Sequence, residues 1–319
     1  MKEIKKYKLS SSSNLIKTAW ETYKKRWQDL IAISALVSLL TYLINFIDFY
    51  YVRIVDPIVG YLAQTILLVL SGLIMALGSA SIIYVLSGKK GSVEQIIRKA
   101  LPLTVPLFIL GWVSNFILAG STMPLIIPGL ILLIAFIFVP FVYLLEKRQW
   151  LDVLLRSSNL TKGFKWSLIR KYFVLFLWIF FLIIPIFLAT NLFATLTKTI
   201  ELNSIASILT TTLMFPFVLS FSFAIYSELI KVAPKSKFIP SQKGKNIYTF
   251  LFIWGVIVFL SIAVARFSYP DKEIFNENYF IQRFEMEINK LEKKSNNSNI
   301  DIDININQSE DEGVNVKIN

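Results

Sequence analysis

Two glutamates and the basic residues near them are the side chains best placed to do chemistry in this chain. Glu146 and Glu228 each follow a long apolar segment, and Arg156 and Lys162 lie 10 and 16 residues after Glu146. Two interpretations are open. Each glutamate could be solvated or paired with its basic neighbours in sequence, or Glu146 or Glu228 could bind Arg156 or Lys162 and hold an amphipathic helix against the rest of the protein.

The chain lacks the residue types on which the commonest catalytic mechanisms depend. The chain contains no histidine and no cysteine, which removes the commonest general base and the thiolate nucleophile and metal ligand. It also has no glycine-rich phosphate loop and no set of ligands at metal spacing. The sequence therefore predicts a protein that is not an enzyme, with no catalytic, cofactor-binding or metal-binding residues.

The elements that must position these residues are long and free of charge. Residues 100–145 contain no charged side chain, and five further windows share this property: 30–47, 57–88, 172–197, 202–227 and 246–265. A hydrocarbon core about 30 Å thick is crossed by roughly 20 apolar residues of helix. Charged residues make up 17% of the chain, against about 25% in soluble domains. The sequence predicts an all-α, polytopic transmembrane helical bundle in the cell membrane.

A turn signal at residues 119–124 divides the longest window, which gives seven spans, with six plus one as the alternative. The predicted spans are 29–48, 57–86, 104–120, 125–145, 169–192, 204–228 and 247–266. Residues 1–28 form a basic amphipathic segment, residues 29–266 the membrane domain and residues 267–319 a polar tail. In the tail, an amphipathic helix is predicted over 272–294, followed by disorder or a weak hairpin.

The basic residues are distributed unevenly between the two ends of the spans. Segments 1–28, 87–101, 146–171 and 229–245 contain 24 lysines and arginines, whereas the opposite connections hold only three. The positive-inside rule then places the N-terminus in the cytoplasm and the tail outside. The net charge of +12 is explained by this asymmetry, so nucleic acid is not a predicted partner.

The basic segments resemble one another. Residues 15–27 align without gaps on residues 154–166, and residues 96–100 form a shorter third copy. In the second copy, helical spacing places Leu151, Leu154, Leu155 and Ser158 on one face and Arg156 and Lys162 elsewhere. A true repeat would form a collar of interfacial helices that binds anionic lipid headgroups or a membrane protein partner. The alternative is simple anchoring, since insertion rules alone produce basic segments before spans.

One stretch carries a family resemblance. Ile127-Pro128-Gly129 opens a span that Glu146 closes, and residues 154–157, 160–163 and Trp166 follow as Leu-Leu-Arg-Ser, Leu-Thr-Lys-Gly and Trp. This arrangement resembles the membrane domain of glycerophosphoryl diester phosphodiesterases and related stand-alone six-span bacterial proteins. The resemblance implies a membrane helical bundle, while the catalytic barrel of the phosphodiesterases is absent. The seventh span and the acidic tail depart from the six-span pattern.

The same stretch yields local expectations and the candidate residues. Pro128 suits the first turn of a helix, Ser121 or Thr122 could cap that helix, and Gly163 suits a helix end that needs a positive φ. The candidate structural or lipid-contact residues are Pro128, Gly129, Glu146, Arg156, Ser157, Lys162, Gly163 and Glu228. The predicted function is a scaffold or lipid-binding membrane domain, and the alternative is a carrier of a small molecule or lipid.

Overall fold

The structure is a computed structural model that describes residues 9–51, 57–122, 126–148, 150–197, 201–233 and 238–268. Within these ranges every regular element is a helix, which confirms the predicted all-α class. The predicted tail helix 272–294 lies outside the described residues. The helices are α1 Ser12–Lys25, α2 Trp27–Tyr51, α3 Pro57–Leu86, α4 Val93–Thr122, α5 Ile126–Phe136, α6 Val139–Glu146, α7 Leu151–Thr161, α8 Lys165–Thr197, α9 Glu201–Val232 and α10 Gln242–Ser268.

Within the described ranges, seven segments are long and apolar enough to cross a membrane, as the sequence predicted. The protein is therefore a multi-pass membrane protein. Six of the segments are single helices, and the seventh, Gly129–Glu146, runs through both α5 and α6. Residues up to Phe259 belong to one compact unit, and the last residues of α10 belong to a second.

Small residues bring the spans close together. A Cβ on Gly78 of α3 would meet Val37 of α2 at 2.6 Å, and a Cβ on Gly120 of α4 would meet the carbonyl oxygen of Leu251 in α10 at 2.5 Å. Because lipid offers no hydrophobic driving force between helices, membrane bundles depend on such close packing. The glycines therefore set the distances between α2 and α3 and between α4 and α10.

The third copy of the basic segment is not a separate interfacial helix. The predicted span began at residue 104, but α4 begins at Val93 and continues through Pro102 and Pro106. Prolines are tolerated in membrane helices where other groups bond the carbonyls they leave free. Helix α4 continues through both prolines into the span, and the hydroxyl of Thr104 between them donates to the carbonyl of Ala100 at 3.3 Å.

The fourth span is broken, whereas the sequence predicted one helix over 125–145. Helix α5 ends at Phe136, and α6 starts at Val139, with Pro140 in its first turn. Since proline has no N–H and its ring crowds the preceding turn, a break just before Pro140 is expected. The predicted cap of this span is wrong as well, because the hydroxyls of Ser121 and Thr122 donate to Leu118 within α4.

Candidate functional site

Glu146 ends α6 at the centre of a buried polar cluster and is only 6% exposed. Nε of Arg156 donates to both carboxylate oxygens, at 3.1 Å to Oε1 and 2.9 Å to Oε2. The hydroxyl of Tyr226 donates to Oε1 at 3.3 Å, and Nε of Arg148 donates to Oε2 at 3.3 Å. These contacts engage both carboxylate oxygens with three donor protons, because the single Nε–H of Arg156 is shared between the two oxygens.

Arg156 joins three helices through its guanidinium group. Its side chain is 1% exposed, and Nη2 donates to the carbonyl oxygen of Ala233, just past the end of α9, at 2.6 Å. The guanidinium carbon also lies 5.5 Å from the ring centre of Phe238, which Arg148 approaches to 4.7 Å. A cation at a helix C-terminus is favourable because the unpaired carbonyls there carry partial negative charge.

A sharp reversal of the chain between α6 and α7 allows Arg156 to contact Glu146. Lys147 adopts a left-handed conformation with φ of 54°, and Trp150 has φ of 47° and ψ of −131°. Residues other than glycine rarely occupy such regions, at a cost of about 1–3 kcal/mol each. The reversal brings α7 back against α6, which places Arg156 over the end of the helix that carries Glu146.

Ser157 attaches α7 to the break in the fourth span. Its side chain is fully buried, and its hydroxyl donates to the carbonyl oxygen of Ala135 in the last turn of α5. That carbonyl would accept from the N–H of Val139 in a continuous helix. Because the break removes the regular partner, the hydroxyl of Ser157 replaces it and avoids an unpaired buried acceptor.

The predicted orientation of α7 is correct for its leucines, which contact the core, and for exposed Lys162, but it is wrong for Arg156. Leu154 is buried as predicted, but Leu151, Leu155 and Ser158 are only half-buried, and Arg156 is among the most buried side chains. The buried residues of α7 are Val153, Leu154, Arg156, Ser157, Leu160 and Thr161. A cation can occupy an inward position here because a carboxylate and a carbonyl both accept its hydrogen bonds.

Glu228 does not bind Arg156 or Lys162. Its Oε2 accepts a hydrogen bond from the backbone N–H of Ser10 at 3.0 Å, and the buried ammonium of Lys171 donates to the carbonyl oxygen of the same Ser10. The N-terminal segment is thus held between α8 and α9 by its backbone. The predicted pairing was correct only for Glu146 with Arg156.

The other candidates occupy ordinary structural positions. Pro128 lies in the first turn of α5, and Gly129 packs directly against Thr122 of α4. Gly163 has the expected positive φ, 88°, at the turn after α7, and Lys162 is exposed. None of these residues contributes to the cluster around Glu146.

Several residues that contact Glu146, Arg156 or Glu228 were not among the candidates. Tyr226 was a detectable omission, since a tyrosine two residues before Glu228 at the basic end of a span could have been noted as a hydrogen-bond donor. Ala233 and Ser10 contribute only backbone atoms, which no side-chain pattern identifies.

The cluster around Glu146 supports binding and structure rather than bond-making chemistry. Among the residues that the structure describes, no group of three or more histidine, cysteine, aspartate or glutamate side chains could hold a metal ion. Both oxygens of the carboxylate already accept hydrogen bonds from Arg156, and Tyr226 and Arg148 donate one each. What the arrangement does is join α6, α7 and α9 at the basic end of the bundle.

Comparison with known proteins adds no relative. No protein-family model, curated protein or solved structure matches the chain.

Proposed function

We propose that this multi-pass membrane protein is a non-enzymatic membrane domain whose basic end binds anionic lipid headgroups. The observation that supports this most directly is the sign of the exposed charge in the described part of the chain. Two acidic side chains, Glu21 and Glu94, are exposed there, against twelve basic ones. The exposed basic residues are Lys17, Lys24, Lys25, Lys89, Lys90, Arg98, Lys99, Lys147, Lys162, Arg170, Lys231 and Lys243.

Contacts between the chain segments support one shared basic surface. The side chain of Arg26 reaches the carbonyl oxygen of Lys89 at 3.4 Å, which ties the end of α1 to the turn after α3. Partial burial lowers the pKa of Lys89, and repulsion from Lys147 and Lys99 adds to the shift. Lysines from two different connections, 87–101 and 146–171, therefore lie close enough to affect one another.

Exposed indoles accompany these lysines. Trp20, Trp27, Trp150 and Trp166 are all exposed, and each lies in or beside α1 or α7. The amphipathic indole prefers the headgroup region of a bilayer. A surface of lysine and tryptophan at that depth suits anionic headgroups, with each basic residue contributing about 1 kcal/mol near an anionic leaflet.

The test compares lipid preference before and after neutralising α1. Quenching of tryptophan fluorescence by brominated phosphatidylglycerol and by brominated phosphatidylcholine gives the relative affinity of the reconstituted protein for the two lipids. Replacing Lys17, Lys24 and Lys25 with Gln should lower the preference for phosphatidylglycerol by at least about tenfold. The matched control replaces the same three residues with Arg and should keep the preference. An unchanged preference in the Gln variant contradicts the proposal.

Arg156 is not a suitable residue for this test. Arg156, a candidate for lipid contact on sequence grounds, is buried and paired, so neutralising it would test folding instead. High salt should weaken the preference, since the Debye length falls from about 10 Å at 0.1 M to about 3 Å at 1 M.

The proposal includes an orientation with the basic end in the cytoplasm. Because the chain has no cysteine, single cysteines at Ser13 and Ser268 can report on the two sides of the membrane. A membrane-impermeant maleimide applied to intact cells should label position 268 and spare position 13. Protection of position 268 until lysis would mean that α10 does not cross.

A carrier is the second candidate function, and one cavity favours it. A space of about 410 Å³ lies between α3, α4 and the α5–α6 break, and Gly111, Asn115 and Pro140 are among its lining residues. Broken helices and polar groups at membrane depth line substrate sites in transporters. A Cβ on Gly111 would meet nothing within 4 Å, so Gly111→Phe should fill the space. A carrier would be established by solute flux across reconstituted vesicles that the parent protein supports and Gly111→Phe abolishes.

A further inference from the structure

A second cavity, of about 500 Å³, lies beside the Glu146 cluster at the basic end of the bundle. Its wall is formed by the last turns of α3, α6 and α9 together with the buried side chain of Arg156. Small-molecule sites commonly have volumes of about 300–1,000 Å³ with a few placed polar groups on an apolar wall. The polar groups of this wall define what could bind.

The donors available to a ligand are cationic. Nη1 of Arg156 has no hydrogen-bond partner among the described residues, whereas Nε and Nη2 of the same side chain are engaged by Glu146 and Ala233. Lys231 is exposed, lines the same cavity, and forms no ion pair within the part of the chain that the structure describes. Guanidinium and ammonium groups together match a phosphate oxyanion.

The neutral polar groups of the wall can only accept hydrogen bonds. The hydroxyl of Ser87 donates its proton to the carbonyl of Tyr84 at 2.9 Å, and that of Ser227 donates to the carbonyl of Phe223 at 2.8 Å. Each hydroxyl oxygen keeps lone pairs that face no other donor. The ends of three helices add partial negative charge from their carbonyls on the same side. A ligand that fits therefore carries donors of its own next to its oxyanion.

A choline headgroup does not fit these requirements. Its quaternary ammonium has no N–H and is recognised by open aromatic faces. The wall has only two aromatic rings, and both already contact rings of the core: Tyr226 stacks on Phe141 at 5.5 Å and on Phe138 at 6.4 Å, and Phe223 is tilted against Phe141 at 6.2 Å. Two rings engaged in this way do not provide the several open faces of an aromatic cage.

We infer that this cavity binds a phosphate ester whose headgroup carries hydrogen-bond donors, of the phosphoethanolamine type. Arg156 Nη1 and Lys231 hold the phosphate oxygens, and the hydroxyl oxygens of Ser87 and Ser227 accept from the ammonium. The ligand is either a phospholipid headgroup or a soluble phosphate ester. The inference goes beyond the proposed function, since it concerns a particular cavity and a headgroup that pairs its phosphate with an ammonium.

The test compares ligands that have the same net charge and differ in their donors. The full-length chain in detergent is titrated with phosphatidylethanolamine or phosphatidylcholine in mixed micelles, and separately with soluble phosphoethanolamine or phosphocholine. The thermal midpoint, followed by tryptophan fluorescence, rises with the concentration of a ligand that binds the folded state. We expect the midpoint to rise with the logarithm of the concentration of the ethanolamine compound, and the choline compound to need at least about tenfold higher concentration for the same rise. A rise with the soluble ester identifies a soluble ligand, and a rise with the lipid alone identifies a headgroup.

Two conservative variants locate the binding in this cavity. Ser227→Val removes an acceptor and Lys231→Gln removes a cation, and each should weaken binding about tenfold. Ser71→Val and Lys243→Gln are the matched controls, because Ser71 also bonds a carbonyl of its own helix and Lys243 is also exposed. The controls should bind as the parent does.

Three outcomes overturn the inference: no rise of the midpoint with either ethanolamine compound, equal affinity for choline and ethanolamine, or unchanged binding in both Ser227→Val and Lys231→Gln. None of these bears on the preference for anionic lipid, because ethanolamine and choline phospholipids carry the same net charge.

Discussion

Helices α1 and α7 come from aligned stretches of sequence, yet they are held to the bundle by different interactions. α1 docks through apolar side chains: Leu15, Ala19 and Tyr23 are its buried residues. α7 docks through apolar residues as well, but it also buries a guanidinium group on Glu146 and a hydroxyl on the α5 carbonyl. The residue that aligns with Arg156 is Lys17, which is exposed.

The difference shows what an amphipathic pattern leaves undecided. Both segments have enough apolar residues at helical spacing to dock against a bundle. Which side chains turn inward depends on the surface that receives them. α1 meets an aromatic surface, where Tyr23 lies 6.3 Å from Phe217, whereas α7 meets a helix end and a helix break, both of which present unpaired polar atoms.

Replacing Arg156 should have the largest effect of any single change that separates the two helices. Arg156→Met leaves the carboxylate of Glu146 buried without its main partner, and we expect a loss of about 3–5 kcal/mol in the free energy of unfolding. Lys17→Met, at the aligned position of α1, should change stability by less than about 0.5 kcal/mol. Reversible unfolding in mixed detergent micelles measures both values.

A double variant distinguishes the contribution of the Glu146–Arg156 ion pair to stability from the other contacts of each residue. Glu146→Leu combined with Arg156→Met removes both charges, and we expect it to recover most of the loss, since apolar replacements of buried ion pairs are often neutral. A double variant as unstable as Arg156→Met alone would mean that the guanidinium acts mainly through Ala233 and Phe238.

At the position of Tyr23 the change in α1 should cost more stability than the aligned change in α7. Tyr23→Ala removes a buried ring that stacks on Trp20 at 5.7 Å and meets Phe217 edge-on, so we expect a loss of about 3 kcal/mol. Lys162→Ala, at the aligned position of α7, removes an exposed side chain and should cost less than about 0.5 kcal/mol. Thermal unfolding followed by circular dichroism compares the two variants, and equal losses would contradict the assignment of the docking surfaces.

The helices were predictable because their signals are local and strong. Six charge-free windows and the turn signal that divides the longest one identify the seven apolar segments, and the positive φ of Gly163 follows from its residue type. The pair between Glu146 and Arg156 was one of several allowed pairings. Ser10, Glu228 and Lys171 could not be placed, because their contacts join residues more than 150 positions apart through backbone atoms. Pro140 indicates where the fourth span can break, but whether the break also depends on the donor that α7 supplies to the freed carbonyl of Ala135 has no local signal in the sequence.

Ser157 tests that dependence with an intermediate effect. Ser157→Ala leaves the buried carbonyl of Ala135 without its hydroxyl donor, and we expect a loss of about 1–3 kcal/mol. Thr18→Ala, the aligned change in α1, affects an exposed residue and should be neutral or slightly stabilising because alanine favours helix. Hydrogen exchange at the α5–α6 junction should rise in the first variant alone. Protection that stays unchanged there would show that the break is stable without α7.

Gly163 should give the smallest effect, and it tests how each amphipathic helix joins its span. The chain leaves α7 through Gly163 at φ of 88° and re-enters helix at Lys165, whereas α1 continues to Lys25 and α2 starts at Trp27 without any residue of positive φ between them. Gly163→Ala forces a side chain into the left-handed region and should cost about 1–2 kcal/mol. Lys24→Ala, the aligned change, lies inside α1 and should cost nothing measurable. Gly163→Asn provides the rescue, since asparagine tolerates positive φ better than alanine. Chemical unfolding of the three variants should rank Gly163→Ala below Gly163→Asn, with Lys24→Ala equal to the parent; equal stability of the alanine and asparagine variants would mean that the turn can adopt another conformation.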